Sequence, residues 1–162
     1  MKKVKFVLFL FVTLFLICSC SLKNKDHPST DVPKNEVEEQ VNTIYLYIND
    51  KVLTVEIETN VATKALLERL NNSDITYIAH DYGGFEKTGD LDKSLPTINS
   101  NIKATTFDVM LYNAKTLVIF YESNTWSYTP IGRITGVTKE ELKKILKVNQ
   151  ENIEITISKE KK

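Results

Sequence analysis

The sequence predicts a mainly β fold, a closed barrel of about eight short strands with two short helices. Three observations carry this expectation. Runs of β-branched and aromatic residues recur along the chain from residue 42, each followed by turn residues. Only two stretches space their apolar residues for a helix, and each begins at a residue able to cap it. The segment 42–160, about 120 residues, is of ordinary size for one domain and long enough to bury one core.

The elements follow in chain order. Thr43 to Ile48 is a dense β-former run, Asn49-Asp50-Lys51 is a turn, and Val52 to Glu58 alternates behind it as the second arm of a hairpin. Asn60 to Leu70 places Ala62, Ala65, Leu66 and Leu70 on one helical face, with Asn60 positioned to accept from free amides at its start. Ile75 to His80 reads as a strand. The segment Asp81 to Asn101 carries Gly83, Gly84, Gly89 and Pro96, which reads as an ordered but irregular excursion. Phe107 to Tyr112 and Leu117 to Tyr121 are strands joined by a turn at Asn113-Ala114-Lys115. Trp126-Ser127-Tyr128 is a further strand, broken by Pro130 and Gly132 before Arg133-Ile134. Thr138 and Glu141 fit a capping box that opens a second helix running to about Leu146. Ile153, Ile155 and Ile157 alternate with polar residues in a last strand.

The chain before this domain has a different character. Lys2, Lys3 and Lys5 precede an apolar run from Phe6 to Cys18, interrupted only by Thr13. A cationic start, a short apolar run and a small-residue exit form the pattern of an export signal. The run is too short to span a bilayer, which needs about 20 residues. Its exit, Ile17-Cys18-Ser19-Cys20, resembles the lipobox of bacterial lipoproteins, with an aliphatic residue three positions before the cysteine and a small one directly before it. The resemblance implies cleavage after Ser19, a diacylglyceryl group on Cys20, and a location on the extracytoplasmic face of a cell membrane. One acyl chain binds a membrane marginally, and two hold it firmly. The expected organisation is therefore a lipoprotein signal peptide over 1–19, the lipidated Cys20 and a flexible tether over 20–41, and the folded domain over 42–160. The tether has no aromatic residue, two prolines and scattered charge, and as a coil it would reach on the order of 25 Å. His27 in this stretch reads as a solvated linker residue.

Composition narrows the chemistry. Lys plus Arg equals Asp plus Glu at 21 each, so nothing marks a nucleic-acid partner. The two cysteines, Cys18 and Cys20, both lie in the signal region. The domain is thus expected to have no thiol nucleophile, no disulfide and no thiolate metal site. His80 is its only histidine, too few for zinc without thiols, and no phosphate-binding glycine loop occurs. No cofactor or metal is expected. His80 and Asp81 are adjacent on a strand and so face opposite ways, which argues against a general-base pair.

Two motifs stand out: Ala79-His80-Asp81-Tyr82-Gly83-Gly84-Phe85-Glu86 with Gly89-Asp90-Leu91 and Ser94-Leu95-Pro96, and Leu117 to Tyr121 with Ser123-Asn124, Trp126 to Thr129 and Gly132-Arg133-Ile134. Together they resemble the bacterial cyclophilin-like domain family over residues 42–135. The resemblance implies an eight-stranded barrel related to that of peptidyl-prolyl isomerases. It does not imply their activity, because the isomerase residues do not map one by one onto this chain. Arg133 is the one arginine placed to reach a groove, and it could equally pair with a carboxylate at the barrel rim. Tyr82, Phe85, Tyr121, Trp126 and Tyr128, with polar Ser123 and Asn124, gather in the two motifs. They either line a ligand groove or fill the barrel. The candidate ligand-binding set is Tyr82, Phe85, Tyr121, Asn124, Trp126 and Arg133, with Cys20 as the lipidation site. The expected role is a membrane-anchored, non-catalytic module binding a peptide or small molecule. The alternative is an extracytoplasmic prolyl isomerase that assists folding of exported proteins.

Overall fold

A computed structural model describes residues 42–162. The signal, Cys20 and the tether lie outside the described residues. Nine strands and two helices follow in the order β1 (Thr43–Ile48), β2 (Lys51–Ile57), α1 (Val61–Leu70), β3 (Ile75–Tyr82), β4 (Glu86–Asp90), β5 (Ser100–Ala104), β6 (Asp108–Tyr112), β7 (Thr116–Phe120), β8 (Asn124–Thr135), α2 (Lys139–Ile145) and β9 (Ile153–Ser158). The sheet order is β2-β1-β9-β3-β4-β7-β6-β8-β5, and β2 also pairs with β8. That last pairing closes eight strands into an antiparallel barrel and leaves β5 outside it. The mainly β, closed-barrel expectation with two helices is what the chain adopts.

Strand alternation sets which side chains enter the barrel. Ile44, Leu46 and Ile48 on β1, Leu53 and Val55 on β2, and Ile153, Ile155 and Ile157 on β9 are buried in one core. The two helices complete that core. Ala62, Leu66 and Leu70 of α1, and Leu142 of α2 with Leu146 at its end, belong to the same cluster. Asn60 starts α1 by accepting from the amides of Ala62 and Thr63 at 2.9 and 3.1 Å, while its Nδ2 donates to the Pro130 carbonyl at 2.8 Å. The capping box expected at Thr138 and Glu141 is formed, the Thr138 amide donating to Glu141 Oε2 at 2.8 Å.

Three parts of the chain differ from the sequence expectation, one of them β5, which no expected strand covers. The excursion after Asp81 contains β4, a barrel strand paired with β3 on one side and β7 on the other. Its sequence, Glu-Lys-Thr-Gly-Asp, has no β-former run, so its pairing comes from neighbours rather than from propensity. Gly89 is required there, because a Cβ would stand 2.2 Å from the Ile78 carbonyl oxygen. Pro130 and Gly132, read as strand breakers, lie within the continuous strand β8. Val109 faces Gly132 and Met110 faces Pro130, so Ile131 is the extra residue of a bulge. A proline without an amide proton is tolerated at such a point.

Gly132 sits where β8 meets β2 and closes the barrel. A Cβ at Gly132 would stand 2.3 Å from the Glu56 carbonyl oxygen and 2.9 Å from Ile57 Cα. Both are backbone atoms, so the seam itself must part. Gly132→Ala is expected to cost about 1–3 kcal/mol or more, read as a lowered urea midpoint.

A second, smaller core forms on the outside of the barrel. Met110 of β6 and Val118 and Phe120 of β7 point outward, where Ala104 of β5 and Tyr128 of β8 bury them. The first half of β8 leaves the barrel wall and pairs with β5 from Tyr128 facing Ser100 to Asn124 facing Ala104. This two-stranded ribbon covers β6 and β7. Both faces of β7 are therefore dry, which explains its uninterrupted Leu-Val-Ile-Phe sequence.

Candidate functional site

The ribbon does not cover the whole outer wall. Beside it lies an open groove of about 720 Å³ that runs over the outer faces of β3 and β4. Its residues come from five places, one of them the β3–β4 turn that carries Phe85. Ile78, His80 and Tyr82 project from β3, where the inward positions are Ile75, Tyr77 and Ala79. Glu86, Thr88 and Asp90 come from β4. Tyr112 and Thr116 stand at the β6–β7 hairpin, and Asn124, Trp126 and Tyr128 form the edge of the ribbon.

The rings form one chain of contacts through the base of the groove. Tyr82 meets Phe85 edge-on at 6.3 Å, Phe85 stacks on Phe120 at 6.5 Å, and Phe120 meets Tyr128 edge-on at 5.4 Å. Tyr128 in turn meets Tyr112 edge-on at 6.3 Å. Asn124 Nδ2 donates to the Tyr128 hydroxyl at 3.1 Å, which ties the ribbon's edge to its own ring. The outermost rings, Tyr82 and Trp126, are 61% and 58% exposed, so the groove presents apolar surface to solvent.

Glu86 is the unusual member. It is 6% exposed, and its Oε2 is buried with no hydrogen-bond partner among the described residues. Burial pushes its carboxyl up to about 7. The folded chain prefers the protonated acid, so the stability contributed is complete below the ordinary carboxyl range near 4.5 and is lost as pH rises through about 7. Glu86→Gln keeps the shape and removes the titration. It is expected to gain on the order of 2–3 kcal/mol over the natural chain at pH 8, and this difference should vanish below pH about 4.5. Urea denaturation of both chains across that range checks it.

The candidate residues from the sequence separate into two groups. Tyr82, Phe85, Asn124 and Trp126 lie together in the groove, brought there from segments about 40 residues apart. Tyr121 does not join them. It is 1% exposed and belongs to the barrel core, as the alternation of Leu117 and Ile119 requires. Burial, and then the nearby Asp81 carboxylate, raise its hydroxyl above the ordinary phenol range. Arg133 is also elsewhere. Its guanidinium pairs with Asp108 and lies 5.6 Å from the centre of the Phe107 ring, outside the groove.

The sequence reading did not single out Glu86, Tyr112 or Thr88. Glu86 could be anticipated only from its position, one residue after Phe85 in a motif already marked. Its burial comes from the ribbon, which no local pattern announces. His80 and Asp81 do face opposite ways. His80 is exposed in the groove, while Asp81 Oδ2 accepts from Lys87 Nζ at 3.1 Å and the Asn149 amide at 2.9 Å.

Comparison with known proteins bears on the fold. A model of the cyclophilin-like family matches residues 46–158. The chain is similar to the solution structure of the hypothetical protein AF2241 from Archaeoglobus fulgidus, at 14% identity and a TM-score of 0.55, over 76% of this chain and 99% of that one. At this identity the likeness concerns the fold alone. No curated protein matches.

Proposed function

The chain belongs to the cyclophilin-like family, and from that premise we propose that it is a membrane-tethered binding module, which holds a small molecule or a peptide side chain in the outer groove. One observation carries the reading: an aromatic groove, open to solvent, has on its floor the Glu86 carboxyl, whose buried Oε2 has no hydrogen-bond partner among the described residues. Burying an acid without a partner is costly, and a ligand that supplied the partner would offset that cost.

The isomerase alternative has no arginine in the groove among the described residues. Arg133 is engaged by Asp108, and among the described residues lining the groove none is Lys or Arg. Proline-peptide isomerisation by the full chain in detergent micelles is expected to match the uncatalysed rate. Acceleration would restore the enzyme reading. The tether rests on the lipobox resemblance at Cys20. Cys20→Ser is expected to abolish labelling by radioactive palmitate in cells and to release the domain from the membrane fraction or leave the precursor uncleaved. Unchanged labelling would overturn the tether.

A further inference from the structure

The groove's chemistry narrows its ligand. Its walls carry the rings of Tyr82, Phe85, Tyr112, Trp126 and Tyr128, whose faces attract cations. Its ionisable groups besides tyrosine are Glu86, Asp90 and His80. Asp90 already has partners within the chain, accepting from Thr116 Oγ1 at 2.6 Å and standing 3.8 Å from Lys115 Nζ. Glu86 Oε2 has none. Three lysines are committed elsewhere. Lys87, the next residue, points into the barrel and is held by Asp81 and the Glu151 carbonyl. Lys139 and Lys143 are both taken by Glu122, at 2.7 and 2.6 Å. The recess is thus ring-lined and holds the Glu86 carboxyl, and among the described residues that line it none is Lys or Arg.

We propose that the groove binds a protonated organic amine, its ammonium donating to Glu86 and its apolar body lying against the aromatic wall. This rests on reading the groove as a binding site. The ionised carboxyl accepts only, so a ligand that holds Glu86 in that form brings a donor. A primary or secondary ammonium brings both a donor and the opposite charge, whereas a quaternary ammonium brings charge alone. The ammonium could belong to a free amine or to a lysine side chain of a polypeptide, which share this chemistry.

Trp126 is the chain's single tryptophan and stands in the groove wall, so its fluorescence reports occupancy. The full chain in detergent micelles is titrated with phenethylammonium, its N-trimethyl analogue, neutral phenylethanol, and the blocked amides of lysine and norleucine. A hydrogen bond to a charged partner predicts that phenethylammonium binds on the order of 10–100-fold tighter than phenylethanol. The trimethyl analogue should fall between them. Glu86→Gln should reduce phenethylammonium to the level of phenylethanol and leave phenylethanol unchanged. Preference for the blocked lysine over blocked norleucine and over phenethylammonium would place the ammonium on a polypeptide; preference for phenethylammonium would place it on a small molecule. Equal binding of phenethylammonium and phenylethanol overturns the amine proposal while leaving the groove a binding site. No saturable response to any probe overturns both.

Discussion

Phe120→Ala is expected to cost about 3–5 kcal/mol and to dismantle the groove while leaving the barrel interior packed. Phe120 is fully buried, yet it faces away from the barrel core and sits between Phe85 and Tyr128 in the outer cluster. Among the described residues its ring links Tyr82 and Phe85 to Tyr128 and Tyr112 in the chain of contacts. Removing it leaves a cavity beneath the ribbon, which relaxes only in part because β5 and β8 are held in register by backbone pairing. The urea midpoint should fall, with an unchanged denaturant slope showing that the native state stays compact. Trp126 fluorescence in the folded state should shift, since the ribbon edge loses its support. Phe120→Leu should cost less, as it leaves a smaller void. Tyr82→Ala, at a ring 61% exposed on the same groove, should change stability by no more than about 0.5 kcal/mol. A loss at Phe120 no larger than that at Tyr82 would show that the outer cluster does not support the groove.

Asp81→Asn should cost about as much, about 3–5 kcal/mol, for a different reason. The Lys87 side chain is wholly buried, and its Nζ is held by Asp81 and the Glu151 carbonyl. Asparagine can still accept from the Asn149 amide, so the substitution removes charge more than contact. It leaves an ammonium in the barrel without a counter-charge. The double substitution Asp81→Asn with Lys87→Met removes that ammonium and should recover most of the loss, a coupling that a double-mutant cycle measures directly. Additive effects would show the two groups to be independent. Because Lys87 and Glu86 point to opposite faces of β4, the double substitution should leave ligand affinity in the groove unchanged.

The separation of those two neighbours shows what sequence reading could and could not reach. Period-two alternation placed β2 and β9, because a half-buried strand must repeat every second position, and runs of β-formers placed β1 and β3. The caps at Asn60 and Thr138 were legible because they satisfy amides within three residues of themselves. β4 was not legible. Its two flanking strands supply the pairing that its own Glu-Lys-Thr-Gly-Asp sequence does not promote. Pro130 was misjudged because a bulge depends on the partner strand, here the offset between Val109 and Met110 on β6.

The same division runs through the candidate site. The sequence by itself determined the closed mainly β fold, the two capped helices, and the two aromatic motifs from which Tyr82, Phe85, Asn124 and Trp126 come. Those properties follow from local periodicity and composition. Only the tertiary structure decided that β8 leaves the barrel wall to form a ribbon with β5. That departure buries Phe120 and Tyr128 outside the barrel and borders a groove with Glu86 on its floor. Strand parity at β7 sends Tyr121 inward, and an ion pair with Asp108 holds Arg133 away. The physical reason is that a side chain's burial and charge environment are set by residues far along the chain, and these come together only when the barrel closes.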